Sequence, residues 1–270
     1  MSKRIDLLRL DYAFSVLIPI VLAIFLNDLN LFNYLDILIG FLFLAITGNV
    51  WNDVIDMRDP EEKDTLKRVE GYHPKEIFTI GMCSLLLGIA LLLRTCIQNP
   101  INGILLILII GMVLLYCVWL KLVPILNHIL LGISHIVLPY FMIKIEADLA
   151  LLSSEIELPL VLAFLFFGLT GQFVHEIIDR DALRKHLSLK GCQFVVWFFS
   201  ILTIICGIWA FIIIPNYFFI PFLFLPLGTI YTFRKPTKST KGVKDVGILI
   251  GNFLLLFFLT LVSLRMTGII

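Results

Sequence analysis

Two stretches of this 270-residue chain carry residues whose types and spacing could do chemistry. Gly48 to Asp64 reads GNVWNDVIDMRDPEEKD and places six carboxylates directly after an apolar run. Gly171 to Asp179 reads GQFVHEIID and aligns without a gap to GNVWNDVID, Gly48 to Asp56. Gly, Ile and Asp are identical, and Asn/Gln, Asp/Glu and Val/Ile are conservative replacements, which suggests an internal repeat. If each stretch continues the helix before it, at ~100° per residue, then Asn52, Asp56 and Asp59 share one face, and so do Gln172, Glu176 and Asp179. Pro60 is a natural stop for the first helix.

Carboxylates beside apolar segments are costly unless they are hydrated, paired or bound to cations. One reading is a solvated loop in which the acids pair with Arg58, Lys63 and Lys67; its recurrence in a second, related stretch argues against that. Asp, Glu and Asn oxygens are hard ligands suited to Mg²⁺, which keeps several waters and joins one or two carboxylates to substrate phosphate. Two facing acidic stripes could therefore hold a diphosphate through metal ions. The basic residues Lys67, Arg68, Arg180 and Arg184 lie close enough in sequence to take its remaining oxygens.

The elements that must position these groups are membrane helices. The chain is 60% hydrophobic and only 15% charged, with a mean hydropathy of +1.01, which excludes an ordinary soluble domain. Nine apolar runs recur, at about 12–26, 37–51, 77–93, 101–120, 122–143, 158–174, 192–214, 217–233 and 246–264. Each approaches what a ~30 Å hydrocarbon core demands of a helix. The first run contains Pro19 and lacks a small-residue cleavage site after Lys3 and Arg4, so it is expected to be retained. With nine spans and the N-terminus inside, 18 of the 21 Lys and Arg residues are cytoplasmic, and only Arg94, Lys144 and Arg265 lie outside.

The expected fold class is all-α, a polytopic bundle of about nine transmembrane helices forming a single domain over residues 1–270, with two related Asp-rich cytoplasmic motifs. The five cysteines show no metal spacing, and a net charge of +1 argues against a nucleic-acid partner. The basic segment Phe233 to Asp245 is expected to orient the last spans and to touch anionic membrane lipid. A diphosphate held above a cavity lined by Leu, Ile and Phe suits a long apolar tail, and an isoprenoid diphosphate satisfies both halves.

In these features the sequence resembles the UbiA superfamily of intramembrane prenyltransferases, whose members have nine transmembrane helices and Asp-rich motifs after helices two and six. The first family motif, NDxxDxxxD, is matched at Asn52, Asp53 and Asp56, while its last carboxylate position is Pro60. The third carboxylate is then either Asp59, on the helical face, or Asp64, which the family's continuation favours. The second motif is matched at His175, Glu176 and Asp179, but its later Asp position is Leu183 and Asp181 comes two residues early. Tyr116 to Lys121 (YCVWLK) resembles the family's Tyr and Lys at the end of helix four. Arg9 in LLRLDY resembles its N-terminal Arg, although a topology-setting charge is the preferred reading over ligand contact.

The resemblance implies Mg²⁺-dependent transfer of a prenyl group from an isoprenoid diphosphate donor to an apolar, aromatic or lipid-like acceptor. Asp56, Asp179 and Lys121 are expected at the reacting centre. Asn52, Asp53, Asp56, Asp59, Asp64, Glu176, Asp179 and Asp181 are the candidate metal ligands, and Lys67, Arg68, Lys121, Arg180 and Arg184 the candidate diphosphate ligands. A terpene cyclase and a non-catalytic isoprenoid-lipid-binding protein are the alternatives; a transporter would place its charges nearer the membrane midplane.

Overall fold

The structure, a computed structural model, describes residues 4–60, 62–121, 123–152, 154–179, 182–215, 219–235 and 241–269. Among them there is no strand. Short 3₁₀ turns, Arg4–Leu8 and Leu10–Tyr12, lead into α1 (Phe14–Leu26). Then follow α2 (Leu35–Asp56), α3 (Lys63–Arg68), α4 (Pro74–Gln98), α5 (Pro100–Leu115), α6 (Leu126–Gly132) and α7 (Leu138–Glu146). The remainder is α8 (Glu157–Asp179), α9 (Ala182–His186), α10 (Leu189–Ile213), α11 (Ile220–Thr232) and α12 (Lys241–Met266).

Seven helical stretches among the described residues are long and apolar enough to cross a membrane, and Leu10–Leu26 and Leu223–Thr232 are shorter apolar helices. The nine expected spans therefore become seven long helices and two short ones, at the first and eighth positions. Both short helices carry an internal proline, Pro19 in α1 and Pro226 in α11, which removes a ladder hydrogen bond. Burial explains how α1 tolerates its length: Val16 to Phe25 are all buried. Enclosed by other helices, it need not match the hydrocarbon thickness along its own surface.

The two halves are built alike. The 25-residue helix α4 packs along α2, and the 25-residue helix α10 packs along α8. Their starts are fixed by side-chain caps: His73 accepts from the Lys75 N–H while Glu76 accepts from the His73 N–H, and Ser188 accepts from the Gly191 N–H. The approach of α2 to α4 depends on Gly40 and Gly88. A Cβ at Gly40 would stand 2.7 Å from the Leu92 side chain, and one at Gly88 would stand 3.1 Å from the Gly40 carbonyl oxygen. Small residues of this kind let membrane helices come together where no water drives them.

At the end of the bundle opposite the acidic motifs, Lys144 and Glu157 form a fully buried ion pair at 2.6 Å. Tyr140 donates to the same Glu157 oxygen at 2.7 Å, and Asn27 joins α1 to the cluster by accepting from Lys144. Lys144 thus lies at the end to which the topology reading assigned it, but buried, whereas Arg94 and Arg265 there are exposed.

Two segments among the described residues widen into π geometry. Tyr116–Leu120 at the end of α5 and Ile133–Val137 between α6 and α7 are π-helical. The extra residue in a wide turn re-aims side chains, and such turns recur at functional sites. Here Tyr116, Cys117, Ser134, His135 and Ile136 all line one central cavity.

Candidate active site

The cavity has a volume of about 1650 Å³ and takes its walls from α1, α2, α5, α6, α8, α11 and α12. Charged and polar residues of both acidic motifs line its mouth; farther in, the lining is mostly apolar, with Ser134 and His135 among it.

In the first motif, α2 ends at Asp56 instead of running on to Pro60. The residue before a proline is disfavoured in α conformation, and the chain leaves the helix through turns at Met57 and Arg58. The expected face of Asn52, Asp56 and Asp59 is broken accordingly: Asp59 is exposed and is not among the lining residues, whereas Asp64 at the start of α3 is. Asp56 accepts from the Lys121 ammonium at 2.5 Å and from the Asn52 amide at 2.6 Å. Lys121 also donates to Glu62 at 2.9 Å. Burial works against the charge of Lys121, but Asp56 and Glu62 more than restore it, so its pKa is raised and the ammonium persists throughout the neutral range.

Asp53 is turned away from the cavity and only 1% exposed. Arg68 grips it with two donors, at 2.9 and 2.6 Å, and Arg9 adds a third at 3.2 Å. Asp53 is thus held by the two arginines and does not line the cavity, where the motif led one to expect it. Arg68 reaches the wall but is committed to Asp53. Arg9 does more than set topology: it lines the cavity, stacks 4.5 Å above the Tyr12 ring and sits in left-handed backbone conformation with φ 47°, a strained state that its contacts hold.

The second motif repeats the division of labour. Asp179 lines the cavity and accepts from Lys244 at 2.6 Å and from His175 Nδ1 at 2.9 Å, while His175 Nε2 meets the Tyr12 hydroxyl at 3.0 Å. Glu176 also lies on the wall, but both oxygens are engaged. One accepts from Asn127 at 2.6 Å and stands 3.3 Å from His128 Nε2; the other accepts from the Leu183 N–H at 3.0 Å. Lys67 is exposed on the wall; Arg184 is not part of it and donates instead to the Leu187 carbonyl. Arg180 and Asp181 lie outside the described residues.

Sequence reasoning missed Lys244, Glu62, Tyr12, Asn127 and His128. A signal for Lys244 existed. The Asp56–Lys121 and Asp179–Lys244 pairs each span 65 residues of chain, so the register that superposes the motifs also superposes the two lysines. Asn127 ties the halves together, donating to the Lys121 carbonyl at 3.1 Å as well as to Glu176.

No three His, Cys, Asp or Glu side chains converge into a ready metal cage among the described residues. Mg²⁺ does not require one, since it is held by one or two carboxylates together with water and phosphate. The donor set present fits that description. Asn52 Oδ1 and Gln172 Oε1 are buried without a protein partner, and both residues line the cavity that Asp56, Asp64 and Asp179 also line. A buried oxygen left unpaired costs about 1–3 kcal/mol, and a bound cation would recover it.

Apolar helices long enough to cross a membrane, enclosing a cavity whose mouth is charged and whose depth is mostly apolar, define an integral, multi-pass membrane protein with an intramembrane site. Residues 16–246 match the model of the UbiA prenyltransferase family, and the chain belongs to that family of membrane prenyltransferases. Comparison with curated proteins returned no match.

Proposed function

We propose that this protein transfers a prenyl group from an isoprenoid diphosphate to an apolar acceptor, with the diphosphate at the cavity mouth and the prenyl chain in its apolar depth. The observation that carries this reading is the matched pair of cavity carboxylates, Asp56 and Asp179, each with its own lysine, over a cavity whose lining is predominantly apolar. The N-terminus and both motifs are placed on the cytoplasmic side, in keeping with the excess of Lys and Arg at that end.

Asn52, Asp56, Asp64, Gln172 and Asp179 would hold Mg²⁺, with Glu176 beside them. When bound, the metal neutralises the negative charge that accumulates on the departing diphosphate. Lys121, Lys244 and Lys67 bind the diphosphate oxygens directly, the first two by turning from their aspartates. Arg68 and Arg9 keep Asp53 fixed, and with it the end of α2. The C1–O bond breaks with its electron pair leaving on the diphosphate, and an aromatic carbon or hydroxyl oxygen of the acceptor bonds to C1. The proton lost by the acceptor leaves toward the aqueous mouth. His175, held between Tyr12 and Asp179, orients Asp179.

The acceptor arrives from the lipid. Gly228 on α11 and Gly247 on α12 both line the cavity and are exposed, and a Cβ at either would meet nothing within 4 Å. A gap of this kind between the two helices gives an apolar molecule a sideways path to the mouth.

The test is thermal stabilisation of the purified protein by non-hydrolysable prenyl thiodiphosphates, with and without Mg²⁺, in the native protein and in Asp56→Asn and Asp179→Asn. Stabilisation that needs Mg²⁺ and is lost in both variants is expected. Folded native protein that shows no Mg²⁺-dependent shift would sink the proposal.

A further inference from the structure

The apolar depth of the cavity ends at a definite layer. On the α11 side the deepest lining residue, Phe224, is exposed; on the other sides the deepest are Pro19 on α1, Phe41 on α2, Ile109 on α5, Ile136 before α7, Phe164 on α8 and Leu254 on α12. These last six are buried. Beneath them the interior is packed: the Phe164 ring lies 5.9 Å from that of Phe258, which is itself fully buried, and the Tyr140–Glu157–Lys144 cluster follows. The layer is a floor, not a constriction opening onto further space.

The depth can be measured on two independent rulers. Fifteen residues separate Asp56 from Phe41 along α2, and fifteen separate Asp179 from Phe164 along α8, which is ~22 Å on each at ~1.5 Å per residue. A diphosphate between the two aspartates and the level of Asn52 takes about one turn, ~5–6 Å. Roughly 16 Å remains. An isoprene unit adds four backbone carbons, ~5 Å when extended at ordinary C–C bond lengths.

Building on the proposed diphosphate site, we infer that the layer formed by Phe41 and Phe164 is a chain-length stop, and that the donor carries three to four isoprene units, a farnesyl or geranylgeranyl diphosphate. Shorter chains leave apolar wall uncovered. Much longer ones must fold back or leave through the gap between α11 and α12, and each methylene that misses the wall forfeits burial.

The experiment measures Mg²⁺-dependent stabilisation by geranyl, farnesyl, geranylgeranyl, geranylfarnesyl and solanesyl thiodiphosphates on the native protein and two variants. Phe164→Ala lowers the floor. Ala45→Phe, one turn above Phe41 on the cavity wall, raises it. The native optimum is expected at three or four units. Phe164→Ala should move it up by one unit, raising the affinity for geranylfarnesyl relative to geranylgeranyl about tenfold; Ala45→Phe should move it down by at least one. If Phe164→Ala does not fold, the downward shift in Ala45→Phe still decides. Equal stabilisation of the native protein by geranylgeranyl and solanesyl compounds, or an optimum unmoved in the folded variants, would overturn the inference. Absence of stabilisation at every length would instead overturn the diphosphate reading beneath it.

Discussion

The two acidic motifs face each other across one cavity and solve the same problem with different chemistry. In each, one carboxylate faces the cavity against a lysine: Asp56 with Lys121, Asp179 with Lys244. In each, the carboxylate three residues earlier is held by the protein. Asp53 is held by two guanidinium groups; among the described residues Glu176 accepts from the Asn127 amide and the Leu183 N–H, with His128 close by. The shared part is the part that faces the cavity. Where the halves diverge, they divide two structural duties: the arginines fix the N-terminal turn and α3 to α2, and the Asn127 and Leu183 donors fix the start of α6 and α9 to α8. Repetition has conserved the cavity-facing arrangement and left the supporting one free to change.

The largest expected effect tests that equivalence at its centre. Asp56→Asn and Asp179→Asn should each lower prenyl transfer roughly 100-fold or more, measured as diphosphate release under saturating donor; a large loss in one and none in the other would break the symmetry. Next come the lysines. Lys121→Met and Lys244→Met should each weaken donor binding about tenfold to a hundredfold, the range for losing a charged hydrogen bond. Both should also lower the Mg²⁺ concentration needed for half-saturation, because each frees a carboxylate from a competing cation. If only Lys121→Met behaves this way, Lys244 is a surface charge and the register argument fails.

The supporting residues should separate the halves. Asp53→Asn strips the negative charge from two arginines in a buried site and should cost about 2 kcal/mol or more of stability. Glu176→Gln keeps one acceptor oxygen for Asn127 and should cost about 1 kcal/mol. Thermal midpoints of the two variants would rank them; the reverse order would show that the arginines are not a clamp. The smallest effect distinguishes the two candidates for the third carboxylate. Asp64→Asn should raise the Mg²⁺ requirement a few-fold, and Asp59→Asn should leave titrations of Mg²⁺ against activity unchanged, as expected of an exposed residue off the cavity wall.

The sequence by itself determined the membrane character, the helical class and the placement of two related acidic motifs at helix ends, because these depend on local composition and on a short repeated pattern. Hydropathy also located the short first helix, but not that it is buried along most of its length; a run of apolar residues looks the same facing lipid or protein. Periodicity put Asp59 on the active face and could not show that the helix ends at Asp56, three residues short of Asp59. The motif treated Asp53 and Asp56 alike, and only their neighbours separate them: Arg68 lies 15 residues on and Arg9 44 residues back from Asp53, and Lys121 65 residues on from Asp56. Which carboxylate faces the cavity, which lysine meets it and where the apolar depth ends are set by contacts between distant segments, and no local pattern carries that information.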